Sequence, residues 1–444
     1  MKKAIVLCIA DENDEMRSLL DTLNVQIERE HIQKRSHPHK VGFLGPGKLA
    51  EILEDTKELG FDIVVINGVL RPSQHHFLEM KFQKECIDRP GVILRIFAEH
   101  AHTPEAIAQV TLAKLRYEVP FLREWIHKAK SGDRPGFLAG GAYATDVYLE
   151  HAKTQSRRIE KRLTDLSKQR ETSRAERRSK GYTLVSLAGY TNAGKSALLN
   201  KLCDATVEVD DRMFSTLSTT TRRIVGLKGN VLVTDTVGFI KNLPPDLIKA
   251  FLSTLEEIFY ADVILLVFDA SENSQSITMK LSTSLNILLP KIEKRHLLVV
   301  GNKVDLVQPS QLENIRSIIN PIIGTHDVIF VSAKTGHGLE ELRQRLEKLQ
   351  NYSSTVQARL PLTDSSYGLL SRLRAIAVID STIVSDHMDA VIRCKPEDAE
   401  KIVGWLEAAG ASAVSSRAEP AEEPIEKAGA PVEIKGSPSQ GLNL

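Results

Sequence analysis

The sequence predicts an α/β protein, because short runs of apolar, β-forming residues alternate with stretches of helical hydrophobic spacing along most of its 444 residues. Two further observations divide the chain. A glycine-rich octapeptide joins a strand pattern to a helix pattern near residue 190, and a long charged stretch over residues 147–180 precedes it. These features predict an N-terminal α/β domain, a helical connector, a second domain with a mostly parallel sheet and helices on both faces, and a small C-terminal α+β domain.

Residues 1–134 are predicted to form the N-terminal domain. Its predicted elements are strands at 4–10 and 61–66 and helices at 14–23, 48–59 and 104–116. Residues 135–180 follow as a glycine-rich loop and a basic helical connector. Within it, residues 151–180 hold eleven Lys or Arg against four Asp or Glu, a net charge of +7. Such a helix is either a solvated face or a contact for RNA phosphates, and the charge alone favours neither.

Residues 181–350 are predicted to form the second domain, and residues 356–416 the C-terminal one. The C-terminal pattern predicts a helix at 367–373, strands at 375–383 and 390–394, a helix at 396–409 and a strand at 411–414. Residues 417–444 are rich in Ala, Glu, Pro, Gly and Ser, and we expect them to be disordered.

Composition limits the class of protein. The 58 Lys and Arg nearly balance the 57 Asp and Glu, so any attraction to nucleic acid must come from a local surface. The four cysteines are scattered, which predicts reduced thiols rather than disulfides or a zinc site. The sequence has no apolar run of about 18 residues, so we expect no membrane insertion and a cytoplasmic location.

The sequence GYTNAGKS (residues 189–196) matches the phosphate-loop pattern G-x-x-x-x-G-K-[ST]. It lies between an apolar run at 182–188 and a stretch of helical spacing, the context that such a loop requires. Gly189 and Gly194 permit backbone angles that a side chain would forbid. The loop amides and the helix N-terminus can therefore surround a polyphosphate.

Four side-chain or backbone groups are expected at the phosphates. Lys195 should reach the β- and γ-phosphates, and the Ser196 hydroxyl should ligate Mg²⁺. The sequence DTVGF (235–239) ends a second apolar run. Asp235 should hold Mg²⁺ directly or through water, and the Gly238 amide should bond the γ-phosphate.

The sequence STTTRR (218–223) follows a polar, acidic stretch that lacks helical or strand periodicity, and we expect it to be part of a mobile loop. A threonine in it is the natural ligand that links this loop to Mg²⁺ and the γ-phosphate. Thr221 is the first candidate and Thr220 the second, and sequence alone does not separate them.

Two further motifs, NKVD (302–305) and SAK (332–334), follow apolar strands and predict guanine recognition. The Asp305 carboxylate can accept hydrogen bonds from both the ring N–H and the exocyclic amine of guanine, a pair of donors that adenine lacks. Asn302 can bridge to the phosphate loop, and the stem of Lys303 can lie across the base. The SAK turn can donate a backbone N–H to the guanine oxygen.

Phe239 occupies the position after Gly238, where many GTPases have a glutamine that orients the attacking water. Phenylalanine has no hydrogen-bonding group. We therefore predict slow intrinsic hydrolysis, with the missing group supplied by another segment or by a partner.

The motifs together predict a Mg²⁺-dependent enzyme that hydrolyses GTP to GDP and phosphate. The predicted catalytic residues are Lys195, Thr221 and Gly238, and the predicted metal ligands are Ser196, Thr221 and Asp235. The predicted nucleotide site comprises Gly189, Asn192, Ala193, Gly194, Lys195, Ser196, Ala197, Thr220, Thr221, Asp235, Gly238, Asn302, Lys303, Asp305, Ser332, Ala333 and Lys334. Two alternatives stay open: a GTP-timed binding switch for a non-ribosomal protein, and an RNA-remodelling nucleotidase that also uses ATP.

Longer segments resemble the HflX GTPases. They are FSTLSTTTRR (214–223), DTVGFIKNLP (235–244), LRPSQ (70–74), GPGK (45–48) and IDRPGVILRIFAEHAHTPEAIAQVTLAKLRYEVPFL (87–122). The resemblance covers roughly residues 3–349. AGGAYATD (139–146) stands where bacterial members carry an RGPGE-type loop, and Ser218-Thr219 stands where the usual switch loop has Asp-Pro, so the chain resembles archaeal members.

This resemblance implies a GTPase that binds the large ribosomal subunit and its rRNA and can split ribosomes under stress. It also implies that the N-terminal domain acts at the ribosomal core. Away from the ribosome we expect a monomer.

Overall fold

The computed structural model describes residues 2–9, 14–130, 141–179, 182–204, 220–227, 230–240, 256–292, 295–350, 354–374 and 376–418. Part of the predicted glycine-rich loop (131–140), the segment before the switch threonines (205–219) and most of the predicted disordered tail (419–444) lie outside these residues. Among the helices that the structure describes, none combines the length and the apolar character needed to cross a membrane.

A parallel four-stranded sheet in the order β2-β1-β3-β4 forms the N-terminal part of the chain. The elements are β1 (Lys2–Cys8), α1 (Asp14–Thr22), β2 (Val25–Ile32), α2 (Pro46–Asp55), β3 (Ile63–Ile66), α3 (Pro72–Phe82), β4 (Glu85–Asp88) and α4 (Arg89–His100). Successive side chains of a strand point to opposite faces. Ala4 and Val6 accordingly pack with α1 and α4, whereas Ile5 and Leu7 pack with α2 and α3. Helices therefore cover both faces of this sheet.

Two long helices follow: α5 (Pro104–Lys130) lies within the predicted N-terminal domain, and α6 (Gly141–Ser179) lies within the predicted connector. Arg116 is 2.9 Å from Glu160, and Arg170 also pairs with Glu105, so the two helices run antiparallel. The predicted end of α5 at residue 116 is wrong by about four turns, because the helix continues through Pro120 along its partner.

Arg174 of α6 is a buried contact between the connector and the following domain. Only 5% of its surface is exposed. Its guanidinium lies 4.0 Å from the centre of the Tyr260 ring, 3.8 Å from Glu256 and 3.4 Å from Glu257. These three residues belong to a helical turn at 256–260. The connector is therefore joined to that turn by a cation that is largely removed from water.

A six-stranded sheet in the order β10-β9-β8-β5-β7-β6 follows, and only β6 is antiparallel to its neighbour. The elements are β5 (Thr183–Gly189), α7 (Lys195–Leu202), β6 (Thr220–Arg223), β7 (Val231–Asp235), β8 (Val263–Asp269), α8 (Ser274–Leu288), β9 (His296–Asn302), α9 (Pro309–Ile323), β10 (Val328–Phe330) and α10 (Leu339–Lys348), with short 3-10 turns at Leu289–Lys291 and Val304–Leu306. Helices α7 and α10 pack on one face and α8 and α9 on the other. The mostly parallel sheet covered on both faces is the fold class that the sequence predicts.

The C-terminal part is an antiparallel sheet in the order β12-β13-β11-β14. Its elements are β11 (Ser354–Pro361), α11 (Asp364–Leu373), β12 (Val378–Val384), β13 (His387–Cys394), α12 (Pro396–Ala408) and β14 (Ser412–Ala418). The succession βαββαβ is a split βαβ arrangement with both helices in one core cluster. The predicted α+β class is confirmed, although the sequence prediction missed β11 and ended β14 four residues early.

Candidate nucleotide-binding site

The phosphate loop begins where β5, a central strand of the six-stranded sheet, reaches its carboxyl end. Gly189 has φ 142° and Gly194 has φ 82°. A Cβ on Gly189 would lie 2.1 Å from the carbonyl oxygen of Val267, and one on Gly194 would lie 2.3 Å from the amide nitrogen of Asn302. Only glycine therefore fits at either end of the loop.

Lys195 is the first residue of α7, and its side chain turns back over the loop. The residue is 7% exposed, and Nζ donates to the Tyr190 carbonyl at 2.8 Å. Burial lowers the pKa of Lys195 to about 8, and the negative charge of Asp235 opposes this shift only in part. An ammonium group is thus held among backbone groups where a bound phosphate would supply the missing counter-charge.

Ser196 and Asp235 meet at the same edge of the sheet. The Ser196 hydroxyl donates to Asp235 Oδ2 at 2.6 Å, and the Thr236 amide donates to Oδ1 at 2.9 Å. Asp235 is 1% exposed. The structure therefore brings together the hydroxyl and the carboxylate that the sequence assigns to the metal.

The two candidate threonines lie on a strand, not in a loop, so the prediction of irregular structure is wrong for Thr220–Arg223. This segment pairs with β7, which places Thr220 opposite Asp235 and Thr221 opposite Thr234. Paired residues of antiparallel strands share a face of the sheet, and neighbours along a strand do not. The Thr221 hydroxyl accordingly lies 2.9 Å from that of Thr234, on the face away from Asp235. In this conformation the second candidate, Thr220, is the threonine on the side of the Asp235 carboxylate.

Gly238 lies directly against the phosphate loop. A Cβ at this position would be 2.8 Å from Lys195 Nζ, 2.8 Å from the Thr191 amide nitrogen and 2.9 Å from the Thr191 Cα. The backbone of DTVGF therefore approaches the loop so closely that a methyl group has no room.

Phe239 continues this contact and fills the core beneath the loop. Its amide donates to the Gly189 carbonyl at 2.9 Å, and its carbonyl accepts from the Thr191 amide at 2.9 Å. The ring is buried with Tyr190 and Ile258 in the cluster of α8 and α9. A residue in this position has neither the group nor the direction needed to orient a water molecule.

The residues predicted to read guanine form one hydrogen-bonded cluster. Asn302 donates from Nδ2 to the Ala193 carbonyl at 3.0 Å and accepts from the Ala333 amide at 3.0 Å, which ties NKVD to both the phosphate loop and SAK. The Ser332 hydroxyl donates to Asp305 Oδ1 at 2.6 Å. The Asp305 carboxylate is therefore held in place before any base is bound.

Lys303 has φ 65°, and its ammonium pairs with the Asp269 carboxylate at 2.8 Å. Asp269 is the last residue of β8 and lies outside all four motifs. Sequence reasoning missed it. The only signal available was an acidic residue that ends an apolar strand.

The remaining predicted residues surround this cluster. Asn192 is exposed with φ 63°, and Ala197 is partly buried on α7. Lys334 is exposed at the SAK turn. Among the residues that the structure describes, no hydrogen bond or ion pair to these three side chains distinguishes their roles, so their assignment to the site stays a prediction.

The four motifs meet at the carboxyl ends of the strands of one sheet: the phosphate loop, DTVGF, NKVD and SAK. This is the arrangement of a P-loop GTPase. Three family models match the chain in order. They are described as "GTP-binding GTPase N-terminal" over residues 10–98, "GTP-binding GTPase Middle Region" over 100–177 and "50S ribosome-binding GTPase" over 184–303. The protein is a GTPase that hydrolyses GTP.

Curated relatives narrow the class further. The chain is 43% identical over 326 residues to GTPase HflX of Thermococcus kodakarensis, covering 72% of this chain and 73% of the relative. It is 38% identical over 367 residues to GTPase HflX of Methanocaldococcus jannaschii (81% and 88% covered) and 34% identical over 356 residues to that of Escherichia coli (79% and 82% covered). The chain belongs to the HflX GTPase family. Its higher identity to the two archaeal relatives confirms the resemblance to archaeal members.

Proposed function

We propose that this GTPase is a Mg²⁺-dependent nucleotide switch that acts on the large ribosomal subunit in the cytoplasm. The observation that carries the proposal is the cluster of Asn302, Asp305 and Ser332, which the Asn302–Ala193 hydrogen bond ties to the phosphate loop that leads to the Ser196–Asp235 pair. Together they offer one surface for a guanine base and one for a polyphosphate. The ribosomal part is supported by the description of the matched GTPase model and by the +7 charge over residues 151–180.

Asp305 selects the base. The Ser332 hydroxyl donates to one oxygen of this carboxylate, which keeps lone pairs that can accept from the ring N–H and the exocyclic amine of guanine. Adenine presents an acceptor where guanine presents its ring N–H, so adenine nucleotides would leave the carboxylate poorly paired. This favours GTP over the alternative of an enzyme that also uses ATP.

The phosphates lie against the loop amides and Lys195. The lysine ammonium is buried and short of negative charge, so a phosphate that enters the loop improves its electrostatic environment. The Gly238 amide belongs to the segment that contacts the loop, which supports its proposed role in sensing the γ-phosphate.

Ser196 and Asp235 fit a magnesium ion, because Mg²⁺ prefers oxygen ligands and these two oxygens lie 2.6 Å apart at the loop. Thr220 or Thr221 would complete the protein's contribution. When bound, the ion neutralises charge on the phosphate oxygens. Water is the nucleophile, and the protein's part is to position and to stabilise charge.

Hydrolysis by the isolated protein is slow in this proposal. Phe239 is buried under the loop and has no polar group, so the residue that orients water must come from elsewhere. The large subunit is the proposed source of this activation, and ribosome splitting under stress is the proposed output. Residues 1–134 and 135–180 are the proposed ribosome-facing domain and connector, and residues 356–416 a separate C-terminal domain.

Co-sedimentation with purified large ribosomal subunits tests the proposal. The full chain should pellet with a non-hydrolysable GTP analogue and stay in the supernatant with GDP. The matched control is Asp305→Asn, which should lose the response to the GTP analogue and regain it with the xanthosine analogue, because the xanthine carbonyl accepts from the asparagine amide. Absence of the wild-type protein from the pellet with every nucleotide would favour a non-ribosomal partner. Unchanged base preference in the variant would overturn the role of Asp305.

A further inference from the structure

We propose that Asp269 is a positioning residue for guanine binding: its carboxylate fixes the Lys303 ammonium so that the lysine stem lies flat where the base binds. This inference rests on the proposed guanine site. Asp269 and Asn302 are the last residues of neighbouring parallel strands and are paired in register. The sheet itself therefore places this carboxylate beside the NKVD motif, one residue away from Lys303.

The carboxylate is itself held rigidly. Asp269 Oδ1 accepts from both the amide and the hydroxyl of Ser271, at 2.9 and 2.6 Å. Oδ2 faces Lys303 Nζ at 2.8 Å, and the Asp269 side chain is only 8% exposed. A carboxylate so far removed from water requires donors on its oxygens. Ser271 satisfies one oxygen and Lys303 the other, so the ammonium is paired with a carboxylate that Ser271 already holds in place.

The lysine is constrained at both ends. Its backbone is in the left-handed conformation that starts the turn Val304–Leu306. Its Cε lies 3.9 Å from the point where a Cβ on Gly194 would stand, so the stem passes beside the phosphate loop. A free lysine loses much rotamer freedom when it is ordered. Because the ion pair orders the stem before the nucleotide arrives, binding does not incur that cost.

The two oxygens of Asp269 have different partners, and these partners distinguish a purely structural role of the residue from a positioning role. A residue that only held the turn after β8 would need Ser271 and Oδ1 alone. The contact of Oδ2 acts on Lys303, whose stem touches the plane of a purine and not its edge. Asp269 should therefore affect guanine and hypoxanthine nucleotides equally, whereas Asp305 distinguishes them through the exocyclic amine.

The test is a double-mutant cycle on GDP binding by the full chain with Mg²⁺, measured by calorimetry. Asp269→Asn should weaken GDP binding about tenfold and inosine diphosphate binding by the same factor. Lys303→Ala should weaken GDP binding at least as much, and the double variant should bind no more weakly than Lys303→Ala alone. Ser271→Ala, which removes one donor from Oδ1 and leaves the ion pair, should stay within about twofold of wild type.

The outcomes separate this inference from the function on which it rests. An effect of Asp269→Asn that persists in full in the Lys303→Ala background would overturn the positioning role. So would a loss in Ser271→Ala as large as that in Asp269→Asn. If Lys303→Ala bound GDP like wild type, the stem contact and the inference would both fall. Failure of the wild-type chain to bind GDP would overturn the proposed guanine site itself.

Discussion

Replacing Lys195 by methionine should stabilise the nucleotide-free protein and abolish its nucleotide binding. The lysine is 7% exposed, and its ammonium donates to a single backbone carbonyl, that of Tyr190. Methionine has a similar length and no charge, so it keeps most of the packing and removes the buried cation. The Lys195 ammonium stabilises bound phosphate, but when phosphate is absent its burial destabilises the folded protein.

The structure sets the size and the pH dependence of the effect. Burial lowers the pKa of Lys195 from 10.5 to about 8. A tenfold change in an ionisation constant is worth about 1.4 kcal/mol, so the charged lysine destabilises the folded chain by at most about 3.5 kcal/mol. Between pH 8 and 10.5 the unfolded chain binds this proton and the folded chain does not. Stability therefore rises with pH through that window, and the full penalty applies below about pH 8.

Urea unfolding without nucleotide at pH 7 and pH 10 measures this. The free energy of unfolding of Lys195→Met should exceed that of wild type by about 1–3 kcal/mol at pH 7, and the difference should be smaller at pH 10. The control is Lys201→Met, an exposed lysine of the same helix, which should change stability by less than about 0.5 kcal/mol. A loss of stability in Lys195→Met at pH 7, or a gain that did not depend on pH, would refute the reasoning.

Three further substitutions address other contacts. Gly238→Ala should destabilise the nucleotide-free protein by about 2 kcal/mol in urea unfolding, because its Cβ would lie 2.8 Å from loop backbone; an unchanged midpoint would contradict the tight packing. Arg174→Ala removes a buried cation from Glu257 and one of the two cations beside Glu256, so the free energy of unfolding should fall by about 2–3 kcal/mol. Arg158→Ala, on the exposed face of α6, should leave it unchanged. Tyr117→Phe removes a 2.6 Å hydrogen bond to the fully buried Asp88, so the free energy of unfolding should fall by about 2 kcal/mol at pH 7. The pKa of Asp88, which burial already raises, should rise further.

The elements that sequence predicted well are those whose own residues decide them. Strands β5 and β9 are continuous apolar runs, and the glycines of the phosphate loop mark backbone angles that few other residues adopt. Because each motif follows a strand, its position in the sequence assigns each part of the site to the end of one strand.

The elements that it missed depend on distant partners. β2 has the sequence VQIEREHI, in which charged residues interrupt the apolar alternation after Ile27 and most side chains are partly or fully exposed. Its pairing with β1 makes this segment a strand. β6 has the sequence TTRR and is a strand only because β7 offers its edge. That pairing also decides which threonine faces Asp235, a choice that no local pattern could settle.

The segment after Asp235 explains why this enzyme lacks a catalytic side chain next to Gly238. Val237 and Ile240 pack into the N-terminal core with α1 and α4, whereas Phe239 packs into the core of the GTPase sheet. A polar residue at 239 would leave a buried hydrogen-bonding group beneath the loop without a partner. The apolar side chains of this stretch pack into two hydrophobic cores beside one phosphate loop. This packing excludes a glutamine at position 239, and with it the orientation of water that glutamine provides in other GTPases. In the proposed mechanism, the need for activation from outside therefore follows from how these segments pack.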